Sequence, residues 1–183
     1  MSTCVMIDLE TLGTRPDAVI LTIGAIKFNP FKPDVEPGPG LYHRLDIEEQ
    51  MALGRTVDDS TIDWWGQQDP KVRNEALGEG GERIGVQKLK YNLNKFLVGA
   101  EYIWAQGPAF DIVMLEDLYR SQGWGFPWHF WQIRDSRTLF GVHGDPREKG
   151  RDQAHNALMD CYYQAKAVQS IYKEHNIQPR LPR

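Results

Sequence analysis

Apolar side chains recur along the chain first in β-type runs and then at helical spacing. Residues 4–8 (CVMID) predict a short buried strand, and a turn-like stretch with Gly13, Pro16 and Asp17 follows. Residues 18–28 (AVILTIGAIKF) form the longest β-type run. Residues 29–40 carry four prolines and two glycines and read as a loop, and residues 41–46 (LYHRLD) alternate as a third strand. Three strands in succession predict an antiparallel meander. The period then changes. Ser60 is placed to cap a short helix through Ile62, Trp64 and Trp65, with Asp63 completing an S-x-x-D box. Pro70 after Asp69 predicts another helix start, and residues 78–85 (GEGGERIG) read as a flexible link. Val86, Leu89, Leu93, Phe96 and Leu97 form one helical stripe.

Residues 102–106 (YIWAQ) predict a strand broken by Gly107-Pro108, and residues 109–123 a helix ending at Gly123. Residues 130–135 predict a strand leading into a helical turn, and residues 145–153 a polar loop. A last helix runs over about 154–174, striped by Leu158, Cys161, Tyr162, Ala165, Val168 and Tyr172. Three strands followed by alternating helix and strand predict an α/β fold with a mixed sheet flanked by helices. The expected organisation is one domain over residues 1–175 and a frayed C-terminal tail over 176–183.

Composition narrows the function classes. Apolar residues make up 41% and charged residues 25%, a globular balance. Lys and Arg number 21 against 25 Asp and Glu, a net charge of −4, so the chain is not a basic nucleic-acid coat. A nucleic-acid site here has to be small, with metal ions screening its acids. Two cysteines, Cys4 and Cys161, with no CxxC, argue against a disulfide framework or a thiolate zinc site and fit a reducing cytoplasm. No apolar run approaches the ~20 residues of a membrane span, and the opening MSTCVMID lacks a signal pattern. The expectation is a cytoplasmic protein that does not engage membranes.

Few residues carry chemistry. Asp8 and Glu10 stand at i and i+2 at the end of the first strand, where the period of two puts both carboxylates on one face. A bare D-x-E also fits a solvated strand edge. Asp111 follows Phe110 where a strand gives way to a helix, a position an ordinary cap also occupies. Asp160 lies among Leu158, Met159 and Cys161, close to the apolar stripe, and an acid there needs a partner. In an ideal helix His155 lies about 140° around the axis from Asp160. The two converge only if His155 sits at or before the helix start.

Together the pieces form a pattern. MIDLETLG at 6–13, QGPAFD at 106–111 and AHNALMD at 154–160 resemble the three motifs of the DEDDh 3′-5′ exonuclease superfamily. That is the ribonuclease H-like group containing polymerase proofreading subunits. STIDWW at 60–65, FWQIRDSRT at 130–138 and AHNALMDC at 154–161 look more like the phage exonuclease A or exonuclease VIII-like branch, of which some bacterial members resemble exoribonucleases. The resemblance implies a ribonuclease H-like sheet, antiparallel in its first three strands and parallel afterwards. It implies that Asp8, Glu10, Asp111 and Asp160 hold two Mg²⁺ or Mn²⁺ ions, which suits the preference of those ions for oxygen, and that His155 is the general base. The implied reaction releases 5′-mononucleotides stepwise from the 3′ end of single-stranded DNA, with RNA as the alternative substrate.

The resemblance also implies that Thr11, Leu12 and Gly13 contact the terminal nucleotide, Leu12 either wedging the last base or filling core. Phe110 either packs beside that base or fills core. Trp64 and Trp65, about 100° apart on a helix, divide between core and substrate. Arg137 is expected to contact phosphate with Asp135 as a supporting acid, or the two to pair with each other. Gly107 departs from the Asn that many superfamily members carry, so no side-chain contact comes from that position. Loss of one acid would have favoured a catalytically silent nucleic-acid-binding module; the intact set favours an enzyme. Nothing in the pattern chooses between a monomer and a homodimer.

Overall fold

The computed structural model describes residues 3–147 and 155–179. Strands β1 (Cys4–Thr11), β2 (Ile20–Phe28) and β3 (Gly40–Leu45) form the expected antiparallel meander. Helices α1 (Ile47–Ala52), α2 (Asp59–Gly66) and α3 (Pro70–Leu77), the two-residue strand β4 (Arg83–Ile84) and helix α4 (Val86–Leu97) follow. Then come β5 (Tyr102–Ala105), α5 (Asp111–Ser121), β6 (Ile133–Asp135), α6 (Ser136–His143) and α7 (Ala157–Glu174). The six-stranded sheet runs β4-β3-β2-β1-β5-β6, with β5 parallel to β1 and β6 parallel to β5. This is the mixed sheet of a ribonuclease H-like fold. Among the described residues no helix is long and apolar enough to cross a membrane.

The alternation of β1 sets the layers. Val5, Ile7 and Leu9 point into a core shared with Leu89 and Leu93 of α4 and Leu115 and Leu118 of α5. Cys4 and Met6 point to the opposite face, where Cys161, Ala165, Val168 and Ile171 of α7 and Phe140 of α6 cover them. Asp8 and Glu10 continue this second face. Helix α7 reaches it closely because β2 carries Gly24, which pairs with Asp8. A Cβ at Gly24 would stand 2.3 Å from the backbone carbonyl of Ala157, so a larger residue would lift the start of α7 off the sheet.

Some boundaries differ from expectation. Asp58, not Ser60, caps α2, accepting from the Ser60 backbone N–H at 2.9 Å and from its hydroxyl at 2.8 Å. Residues 78–85 hold β4, which pairs parallel with β3. Arg83 ties it down by donating to the carbonyls of Leu45 and Ala76, at 3.0 and 2.9 Å. Of residues 130–135 only the last three are strand; Phe130–Gln132 make a single 3₁₀ turn. Helix α7 starts at Ala157, capped by Asn156, three residues later than the apolar stripe implied. The greater part of the polar loop, residues 148–153, lies outside the described residues. Helix α1 was not legible: its one buried residue is the polar Gln50. That side chain accepts from the Ile20 N–H at 2.9 Å and donates to the Ile20 carbonyl at 2.8 Å, acting as a strand edge for β2.

Candidate active site

Three elements deliver the acids. The end of β1 carries Asp8, half-buried, and Glu10, buried; the strand pairing with β2 becomes irregular just after Glu10. Asp111 is the first residue of α5, not its cap. Its carboxylate reaches across to accept from the Leu9 backbone N–H at 3.0 Å, locking the helix start to β1. Asp160 is buried in the first turn of α7.

His155 meets the condition the sequence imposed. It precedes the Asn156 cap, so it is outside the helix, with a left-handed backbone (φ 65°). Its backbone N–H donates to Asp160 Oδ2 at 3.0 Å, and this bond offsets the strain of a non-glycine residue in that region. Glu10, His155 and Asp160 each offer a ligand atom, all within 4.8 Å of one another.

The acids crowd one another. Burial pushes the Asp8 carboxyl well above the ordinary range, and the charges of Asp111 and Asp160 push it further. Burial does the same to Glu10, reinforced by Asp8, Asp160 and Asp111. Burial raises Asp111 to about 7, although the Leu9 N–H, its own backbone N–H and the charge of Arg137 all pull it down. None of the ion pairs among the described residues involves Asp8, Glu10 or Asp111. Crowded, buried, oxygen-only acids fit hard divalent metal ions.

Gln164, one turn beyond Asp160 on α7, is a residue that sequence reading passed over. It is 2% exposed and donates through Nε2 to Asp8 Oδ1 at 2.9 Å, while its Oε1 has no hydrogen-bond partner among the described residues. Its signal was available: a polar residue four positions after Asp160, on the same face of an otherwise apolar helix stripe.

A cavity of about 410 Å³ adjoins the acids. Its wall includes Glu10, Thr11, Gly13, Trp64 and Phe110, with Ser60 and Thr61 at its side. The tryptophan pair divides as its helical spacing required. Trp65 is 1% exposed and donates from Nε1 to the Thr11 carbonyl at 2.9 Å, so it is framework. Trp64 is 38% exposed and meets the His155 ring edge to face, centroids 5.0 Å apart. Thr11 is buried, its hydroxyl donating to the Gly13 carbonyl at 2.7 Å. The half-buried Phe110 both lines this cavity and packs on the main core.

Leu12 does not face the cavity. It is buried in a side cluster with Val19, Leu21, Trp65 and Ala76, and its backbone N–H and carbonyl are taken by Val19 and Asp58. Burial of its side chain against this cluster leaves nothing to wedge a base. Asp135 caps α6 and accepts from the backbone N–H groups of Gly107 and Arg137 and from the Thr138 hydroxyl, so both its oxygens are engaged in holding the loop. Arg137 donates through Nη2 to the Gln106 carbonyl at 3.0 Å. A Cβ on Gly107 would stand 3.3 Å from Arg137 Nε, so the guanidinium fills the space that an Asn side chain would need.

Comparison with known proteins gives a family and a fold. A family model described as 3'-5' exoribonuclease Rv2179c-like domain matches residues 3–172. The chain is 27% identical over 190 residues to an exodeoxyribonuclease of Enterobacteria phage T4, covering 85% of this chain and 83% of that protein. It superposes on E. coli exonuclease I in complex with a dT13 oligonucleotide with a TM-score of 0.66 at 15% identity, over 96% of this chain but 42% of the other. The chain thus spans about two fifths of exonuclease I, at 42%. The nuclease domain of 3'hExo, a DEDDh family member bound to rAMP, gives a TM-score of 0.61 at 12% identity, over 94% of this chain and 92% of that one. At such identities these two likenesses speak for the fold.

Proposed function

We propose, from the premise that this chain belongs to the 3'-5' exoribonuclease Rv2179c-like domain family and is a 3′-5′ exonuclease, that it shortens single-stranded DNA from the 3′ end, releasing 5′-mononucleotides. The observation that carries the reading is the convergence of Asp8, Glu10, Asp111, Asp160 and His155 from β1, α5 and the start of α7 beside a cavity walled by Trp64.

In this reading the four carboxylates hold two Mg²⁺ or Mn²⁺ ions. Such ions, when bound, lower the pKa of a water and stabilise charge on the attacking and leaving oxygens of a phosphoryl displacement. The residues of the chain do the rest. His155 takes the proton of the attacking water, its ring held by Trp64 and its backbone by Asp160. The Leu9 N–H and the Gln164 amide fix Asp111 and Asp8. Trp64 offers a face for the terminal base, Phe110 packs beside it, and Gly13 lines the cavity. Arg137, exposed next to the acids, is placed to receive a phosphate.

DNA is favoured by the likeness to the phage exodeoxyribonuclease, which covers 85% of this chain and 83% of that one. RNA is the second reading, favoured by the family's description as exoribonucleases. Strands of both chemistries, labelled at either end and incubated with Mg²⁺, Mn²⁺ or excess chelator, test both readings. The expected result is metal-dependent ladder shortening from the 3′ end with mononucleotide release, faster on DNA. Cuts within a circular single strand, or full activity in excess chelator, would defeat the mechanism. Faster loss of RNA than of matched DNA reverses the substrate assignment alone.

A further inference from the structure

A second cavity, of about 490 Å³, opens at the other end of the sheet, with Cys4 in its wall. Asp8 lies four residues further along β1, or about 13 Å at strand rise. The volume falls in the range of small-molecule sites, which set a few fixed polar groups in apolar walls. Phe31, Tyr102, Trp104 and Tyr172 are those walls, and Phe31 meets Tyr172 edge to face with centroids 5.3 Å apart.

Two charged side chains line it, Arg134 and Glu101. The Arg134 guanidinium stacks 3.9 Å from the Tyr102 ring centre. Its Nη1 donates to the carbonyls of Trp131 at 2.7 Å and Ile133 at 2.8 Å. These contacts lock the guanidinium plane and leave Nε and Nη2 without hydrogen-bond partners among the described residues. Nε and Nη2 form the parallel donor edge that matches a phosphate or carboxylate. Trp104, 5% exposed, adds an aromatic wall, with its indole N–H turned inward against the Cys4 thiol. Glu101, exposed in the wall, supplies a carboxylate acceptor.

We propose that this cavity is a second, non-catalytic site for a nucleoside 5′-monophosphate. The base lies among the aromatic walls, the phosphate takes the free edge of Arg134, and the ribose hydroxyls face Glu101. Each simpler ligand leaves part of the site unmet. Inorganic phosphate leaves the aromatic walls bare, and a nucleoside leaves the Arg134 edge unpaired. The same class of molecule is the product assigned to the catalytic cleft, so the site can register accumulated product without competing for the acids.

The test titrates inorganic phosphate, a nucleoside and its 5′-monophosphate into the full chain in excess chelator. Binding is read by calorimetry and by the indole N–H resonances, with Trp104→Phe identifying the Trp104 signal. Chelator removes metal from the cleft, so failure here is separate from failure of the nuclease reading, which the cleavage assay judges. The monophosphate is expected to bind one to one and shift the Trp104 N–H, at least tenfold more tightly than either part alone. Arg134→Ala should lose that binding at least tenfold while cleaving a labelled strand at the parent rate. Should Arg134→Ala not fold, Arg134→Lys, which cannot offer the paired donors, decides the matter. Absence of monophosphate binding, equal binding of phosphate alone, or binding that shifts Trp64 and ignores these substitutions overturns the proposal.

Discussion

Neutral Gln164 holds Asp8 where a Lys or Arg could have stood. A cationic partner at 2.9 Å would satisfy the carboxylate by itself and compete with a metal ion, whereas an amide fixes its orientation and leaves its charge available. Gln164→Leu should therefore lower divalent-metal affinity about 10–100-fold, the usual consequence of removing a group that orients a ligand, and calorimetric titration checks it. The two tryptophans should respond differently. Trp65→Ala empties a buried site and severs the bond to the Thr11 carbonyl, so a loss of about 3–5 kcal/mol in denaturant unfolding is expected. Trp64→Ala should leave stability nearly unchanged, weaken binding of a single strand and slow cleavage, read as separate effects on KM and kcat. The sequence already implied that the pair divides, because adjacent helical residues point apart. It could not say which is inside, because the deciding partner, Thr11, is 54 residues away. Leu12 was ambiguous for the same reason: its neighbours Val19 and Ala76 come together only in the folded chain.

At the scale of elements, legibility followed the carrier of each one's stability. Helices α4 and α7 and strands β1 and β2 bury apolar stripes and were visible as periodicity. Helix α1 rests on one buried amide, and β4 on arginine bonds to carbonyls, neither of which leaves a period. The catalytic pattern was legible for a different reason. Asp8 and Glu10 share a strand face, and the helix arithmetic for His155 and Asp160 demanded a break between them, which Asn156 supplies. The close seat of α7 on Gly24 was invisible, since nothing in the sequence says which helix crosses that glycine. Gly24→Ala should displace the start of α7, lowering the melting temperature and metal affinity together, whereas Asp135→Ala, which removes a helix cap, should cost about 1 kcal/mol and leave metal affinity in place. Thermal unfolding with and without metal separates the two.

Across the whole molecule, crowding the acids ties stability to pH and to metal. In the folded protein Asp111 stands at about 7, and Asp8 and Glu10 are also raised, against about 4 in an unfolded chain. Between those values the folded state binds more protons than the unfolded one, so the contribution to stability is full below about pH 4 and is lost as pH rises through the folded values. In chelator the melting temperature should fall between pH 5 and 8, less steeply in Asp111→Asn, and added Mg²⁺ should raise it most at the alkaline end. A rising melting temperature over that range in chelator would contradict the burial of these acids. The chain order of the site has a further consequence. β1 carries two of the acids, yet His155 and Asp160 come from beyond residue 154, and α7 must settle on β1 and β2 to bring them in. Proteolytic removal of α7 alone would therefore silence the site while leaving both acids of β1 in place.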